Sequence, residues 1–149
     1  MHADELKEFR FYSLIKVRFA ETDMNGHMSH VSPIIYMEQA RAEFMEQLNI
    51  FTPEILMRER KTFVLASQSI DYKAQAYYNE RLRIYLRVSR IGSSSLDMEY
   101  AIVNEETNLL CCNARSTVVF FDAKAQKSTP LPADLAERIE ELEAKYATV

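Results

Sequence analysis

The chain has 149 residues, 48% of them hydrophobic and 27% charged, with a formal net charge of -4. This is room for one domain with a real core, and the balance excludes a disordered chain. A net negative protein has no global attraction for nucleic acid or an anionic membrane, so an anionic ligand has to be held by a local cluster of Lys and Arg.

No run approaches the roughly 20 apolar residues that a spanning helix needs. Met1 to Arg10 mixes acids and bases and lacks the apolar stretch of a secretion signal. The expectation is a cytoplasmic protein that neither binds nucleic acid nor inserts into a membrane.

Phe9 to Phe19 carries Phe9, Phe11, Leu14, Ile15, Val17 and Phe19, mostly in alternation, and reads as a first strand. A polar loop follows, from Glu21 to His30. Ser32-Pro33 then reads as an N-cap with proline at the first helical position, which predicts a helix from about Pro33 to about Leu48. At 100° per residue Ile34, Met37, Phe44, Met45 and Leu48 share one arc, opposite Gln39, Glu43, Glu46 and Gln47. Glu38 and Arg41 interrupt that arc, and their spacing of three suits a mutual ion pair. Phe51 to Lys61 reads as an irregular connection with a helical turn.

From Thr62 the period changes to two. Alternating runs around Val64 to Tyr72, Leu82 to Val88, Leu96 to Ile102 and Leu110 to Phe121 predict four more strands, separated by short polar breaks that suit antiparallel hairpins. Cys111 and Cys112 are adjacent, a poor geometry for a disulfide, and read as strand positions with one thiol inward. Leu135, Ile139, Leu142 and Tyr146 mark a C-terminal amphipathic helix. The pattern predicts a single α+β domain over 1–149: strand, long helix, four-strand meander, terminal helix.

Asp23 sits between a strand end and a helix start, beside Gly26, one of only two glycines. Helix N-termini carry unpaired N–H groups and partial positive charge, favourable toward a developing oxyanion. A carboxylate next to such donors suits acyl transfer; the competing reading is an Asp that merely shapes a turn. Asp23, His27 and His30 are also three potential metal ligands, but no distant fourth ligand is evident and His2 stands in the terminus, so no metal is expected. There is no Ser nucleophile elbow, no Gly-rich phosphate loop and no Cys–His pairing. A carboxylate mechanism is what remains.

The segment Val17-Arg18-Phe19-Ala20-Glu21-Thr22-Asp23-Met24-Asn25-Gly26-His27, continuing into Tyr36-Met37-Glu38-Gln39-Ala40-Arg41, strongly resembles the 4-hydroxybenzoyl-CoA thioesterase family. The resemblance implies a hotdog fold, a five-stranded antiparallel sheet wrapped around one long helix. It also implies a dimer or homotetramer with sites at subunit interfaces, an acyl-CoA substrate and no cofactor. Asp23 matches the family's catalytic carboxylate, and the backbone amide at His30 matches the donor that polarises the thioester carbonyl. Gly26, His27, Ser29, Thr62 and Phe63 fall to substrate binding, and Arg90, Ser93 and Ser94 to the nucleotide end of CoA. Many relatives carry Asn in place of Ser29, and others an aromatic in place of His30. Glu38 is a rival carboxylate on the helix itself. Thioesters of acyl carrier protein, aromatic CoA esters and non-catalytic acyl-CoA binding are the alternative functions.

Overall fold

The computed structural model describes residues 6–146. His2 and both ends of the predicted 1–149 domain lie outside them. The elements are β1 (Tyr12–Lys16), a 3₁₀ turn (Phe19–Glu21), α1 (Ser32–Gln47), α2 (Pro53–Glu59), β2 (Lys61–Tyr72), β3 (Arg81–Ile91), β4 (Ser95–Asn104), β5 (Leu110–Asp122), β6 (Lys127–Ser128) and α3 (Leu135–Ala144). All strands lie in one antiparallel sheet of order β1-β3-β4-β5-β2, with the two-residue β6 beside the end of β5. This is the expected α+β hotdog arrangement.

The order corrects the meander. Of the four strands expected to form it, only β3, β4 and β5 are joined as successive hairpins, whereas β2 pairs with β5 at the far edge and the Tyr78-Asn79-Glu80 break lies in a crossover. Alternation marks a strand's two faces but not its neighbours, so both orders fit the sequence equally. Register shifts between Leu65 and Ser67 on β2 and between Val88 and Arg90 on β3 place an extra residue in each strand. Such bulges bend and twist a strand, and here they help curl the sheet around α1.

The core lies between α1 and the concave face. Tyr36, Met37, Ala40, Phe44 and Met45 pack with Leu82, Ile84 and Leu86 of β3 and with Met98, Tyr100 and Ile102 of β4. Ala40 in the middle of that stripe carries only a methyl group where helix and sheet meet. Ile34, assigned to the buried arc, is instead exposed, because the stripe is rotated toward Tyr36 and Ala40. The ion pair expected within α1 does not form either. Arg41 Nη1 donates to the Tyr100 hydroxyl at 2.9 Å, which in turn pairs with Ser116 Oγ at 2.6 Å, and Glu38 faces solvent.

Both cysteines are buried as free thiols, not one of them. Burial pushes Cys111 up to about 11 and Cys112 up to about 12, leaving both protonated at neutral pH. The α3 helix buries Leu135, Ile139 and Leu142. Tyr146 beyond it meets Phe11 and Tyr12 edge-on at 5.2 and 5.5 Å. Among the described residues no helix is long and apolar enough to cross a membrane.

Candidate active site

The first strand stops at Lys16, and the 3₁₀ turn directs the chain into the loop that carries Asp23. The loop closes on itself: Asp23 N–H donates to His27 O at 2.9 Å, Gly26 N–H donates to Asp23 O at 3.0 Å, and Thr22 faces Met28 in an isolated bridge. Gly26 has φ of +85°, a conformation costly for any residue with a Cβ, which is why glycine stands there. A second bridge, His27 to Tyr77, and a 2.7 Å bond from Met28 N–H to Ala76 O pin the loop to the crossover between β2 and β3.

Within this frame Asp23 uses one carboxylate oxygen, Oδ1, to accept from Asn25 N–H at 2.9 Å. The other, Oδ2, lies 3.3 Å from His27 Nδ1, and the side chain remains 36% exposed. One oxygen is thus held by the turn while the carboxylate stays open to solvent and substrate. The turn-shaping contact therefore leaves the second carboxylate oxygen accessible.

The start of α1 differs from the expected cap. Ser32 is the first helical residue and Val31 the N-cap, with no side-chain cap; Ser32 Oγ donates to Glu21 O at 2.9 Å. Among the described residues the N–H groups of His30 and Val31 meet no acceptor. Tyr72 donates its hydroxyl to the His30 carbonyl, tying that peptide to the end of β2. Asp23, His27, His30, Tyr72 and Lys73 share one cleft of about 420 Å³, which also includes Met28, Ala74 and Gln75. Ser29 sits behind it, its hydroxyl 2.9 Å from Ser32 Oγ.

The remaining predicted residues are elsewhere. Thr62 and Phe63 pair with Phe121 and Phe120 at the opposite end of β2, and Ser94 O accepts from Phe120 N–H at 2.7 Å beside them. Phe63 and Phe120 stack at 4.9 Å. Phe63 also lines a separate hollow of about 320 Å³ with Glu38, Arg41, Met45 and Leu65. Arg90 stands next to last in β3, exposed and 3.7 Å from Asp97, and the Ser93 carbonyl accepts from Leu131 N–H. β2 has 12 residues. At about 3.3 Å per residue, Phe63 lies about 30 Å along the strand from Tyr72 and the Asp23 cleft. In a single chain the two groups of site residues do not meet. Among the described residues, no three His, Cys, Asp or Glu side chains are gathered as a metal site requires.

Sequence reading singled out neither Tyr72 and Lys73, which line the Asp23 cleft, nor Glu21, which Ser29 and Ser32 contact behind it. Tyr72 and Lys73 closed an alternating strand and carried no further signal. Glu21, two residues before Asp23, was legible only as part of a polar loop.

A curled antiparallel sheet around one long helix defines the hotdog class of domain. Residues 17–139 match the family model described as "Thioesterase-like superfamily", and the chain belongs to that family. The protein YsmA of Bacillus subtilis (strain 168) is 42% identical over 98 residues, 66% of this chain and 64% of that protein, so the match spans just under two thirds of YsmA. The acyl-CoA thioester hydrolase YbgC of Escherichia coli O6:H1 is 31% identical over 81% of this chain and 89% of its own length. Among solved structures, Slr0204, a 1,4-dihydroxy-2-naphthoyl-CoA thioesterase from Synechocystis, superposes with a TM-score of 0.79 at 22% identity, covering 89% of this chain and 97% of that one. At that identity the likeness concerns the fold.

Proposed function

We propose that this protein hydrolyses acyl-CoA thioesters to free acid and CoA, with Asp23 as the carboxylate that does the chemistry. The observation that carries the reading is the cleft shared by an accessible Asp23 carboxylate and His30, whose N–H, like that of Val31 next to it, has no partner among the described residues. The thioester carbonyl would point at the His30 amide, where the helix start stabilises the negative charge that develops on oxygen. Asp23 then either deprotonates a water or attacks the carbonyl carbon itself to give a mixed anhydride. Hydrolysis in ¹⁸O-labelled water under single-turnover conditions tests for the second: water attacking the aspartyl carbonyl of the anhydride leaves label in the Asp23 carboxylate, which a pure base never acquires.

Thr62, Phe63, Arg90, Ser93 and Ser94 serve the same site from a second copy. β2 is the edge strand of the described sheet, paired on one side only. A two-fold axis through its middle would set a partner's β2 antiparallel to it and bring the partner's far end to the Asp23 cleft. The acyl group would enter beside the apolar side chains of that end, and Arg90 would meet the CoA phosphates once it exchanges Asp97 for them. The functional unit is therefore a homo-oligomer, a dimer or a pair of dimers.

A panel of short, long and aromatic acyl-CoA esters tests the reading. Turnover is expected with at least one, and Asp23→Asn is expected to lower kcat by about 10²- to 10⁴-fold with little change in KM. Full activity of Asp23→Asn together with loss in Glu38→Gln would transfer the role to the helix carboxylate.

A further inference from the structure

One carboxylate is buried among the described residues, that of Glu21 at 6% exposure, and the chemistry at Asp23 does not use it. Its carboxylate is fully engaged. Oε1 accepts from Arg18 N–H at 2.9 Å and from the Tyr36 hydroxyl at 2.8 Å; Oε2 accepts from Arg18 Nε at 3.1 Å and Nη2 at 2.6 Å. Its backbone carbonyl is engaged as well, accepting from Ser29 N–H and Ser32 Oγ, both at 2.9 Å.

These bonds span the loop. Arg18 lies before it, whereas Ser29, Ser32 and Tyr36 belong to the far side and to α1. The loop holding Asp23 leaves Glu21 and returns to Glu21, and the His30 amide lies between the two returning contacts at Ser29 and Ser32. The bond between the buried Glu21 carboxylate and the buried Tyr36 hydroxyl is the costly one to break, since its loss strands both groups, whereas the exposed Arg18 guanidinium can turn to water.

Resting on the reading of Asp23 as the reacting carboxylate, we propose that Glu21 is a positioning residue that fixes the separation of Asp23 from the His30 amide. Arg18 and Tyr36 are its two anchors, one on each side of the loop. Side-chain placement within about 0.5 Å is what such a site needs, and a misplacement of about 1 Å can cost on the order of 10²-fold in rate.

The test is a kinetic cycle on the oligomeric enzyme with an acyl-CoA ester that it turns over. Glu21→Gln turns a carboxylate oxygen into an amide donor facing the Arg18 guanidinium. It is expected to lower kcat by about 10- to 100-fold while KM moves less than about threefold. Tyr36→Phe removes one hydroxyl, is the milder variant should Glu21→Gln fold poorly, and is expected to lower kcat by several-fold with KM likewise unmoved.

If Glu21 acts through Asp23, adding Tyr36→Phe or Glu21→Gln to Asp23→Asn costs almost nothing further. Multiplicative losses in the double variants would mean general damage and overturn the proposal. Wild-type kcat in both Glu21→Gln and Tyr36→Phe, with Asp23→Asn inactive, overturns it while the Asp23 reading stands. An active Asp23→Asn brings down that reading, and this inference with it.

Discussion

Two acids stand two residues apart and live in opposite surroundings. Asp23 is open and half committed to its own turn, whereas Glu21 is buried and saturated with donors. Burial alone would push the Glu21 carboxyl up, but hydrogen bonds from the Arg18 side chain and backbone and from Tyr36 outweigh it and hold the group below its ordinary 4.5. The folded value is depressed, so the stability it contributes is complete above the unfolded value near 4.5 and is lost as pH falls through the folded one. Thermal melts taken from pH 7 downward are expected to fall steeply in the acid range for the native chain and less steeply for Glu21→Gln. Equal slopes would deny Glu21 that share. The place of Asp23 beside Gly26 and ahead of a helix left it readable as a turn residue or a reacting carboxylate until the family resemblance singled it out; Glu21 was not legible, because a buried partnered acid and a solvated loop acid look alike until the chain closes on them.

The long helix shows where pattern reading carries and where it drifts. Its existence and extent were plain from Ser32-Pro33 and the 3.6-residue period, and the observed Ser32–Gln47 differs by one residue at each end. Its roll was off, since Tyr36 and Ala40 are buried and Ile34 is not. The cause is that α1 has a polar foothold inside its apolar stripe: Arg41 reaches the Tyr100 hydroxyl on β4, and Tyr100 reaches Ser116 on β5. Hydrophobic periodicity has no means of registering a cation that is satisfied across a helix–sheet contact. Tyr100→Phe keeps the ring and removes the shared hydroxyl, leaving buried Ser116 and half-buried Arg41 each short of a bond. A loss of about 1–3 kcal/mol in urea unfolding is expected; a change under about 0.5 kcal/mol, the size typical of an inconsequential surface substitution, would mean that the chain of hydroxyls contributes nothing.

For the molecule as a whole, the hotdog class came from local signals and a family resemblance, but the strand order did not. A crossover that sends β2 past the sheet to pair with β5 depends on contacts between residues far apart in sequence, such as Thr62 with Phe121, and alternation is silent about them. That crossover also decides the layout of the candidate site, by putting Phe63 at one end of the edge strand and the Asp23 cleft at the other.

The length of β2 has a genetic consequence. If each site draws Asp23 from one copy and Phe63 with Arg90 from the other, two defective versions of the protein can repair one another. Subunits carrying Asp23→Asn and subunits crippled at both Phe63 and Arg90 would each be almost inert alone. Unfolded and refolded together in equal amounts, half of their pairs are mixed, and each mixed pair assembles one site from two intact halves and one from two broken halves. Activity should then return to about a quarter of the native level, as symmetry requires. No recovery would mean that every site is made from a single chain.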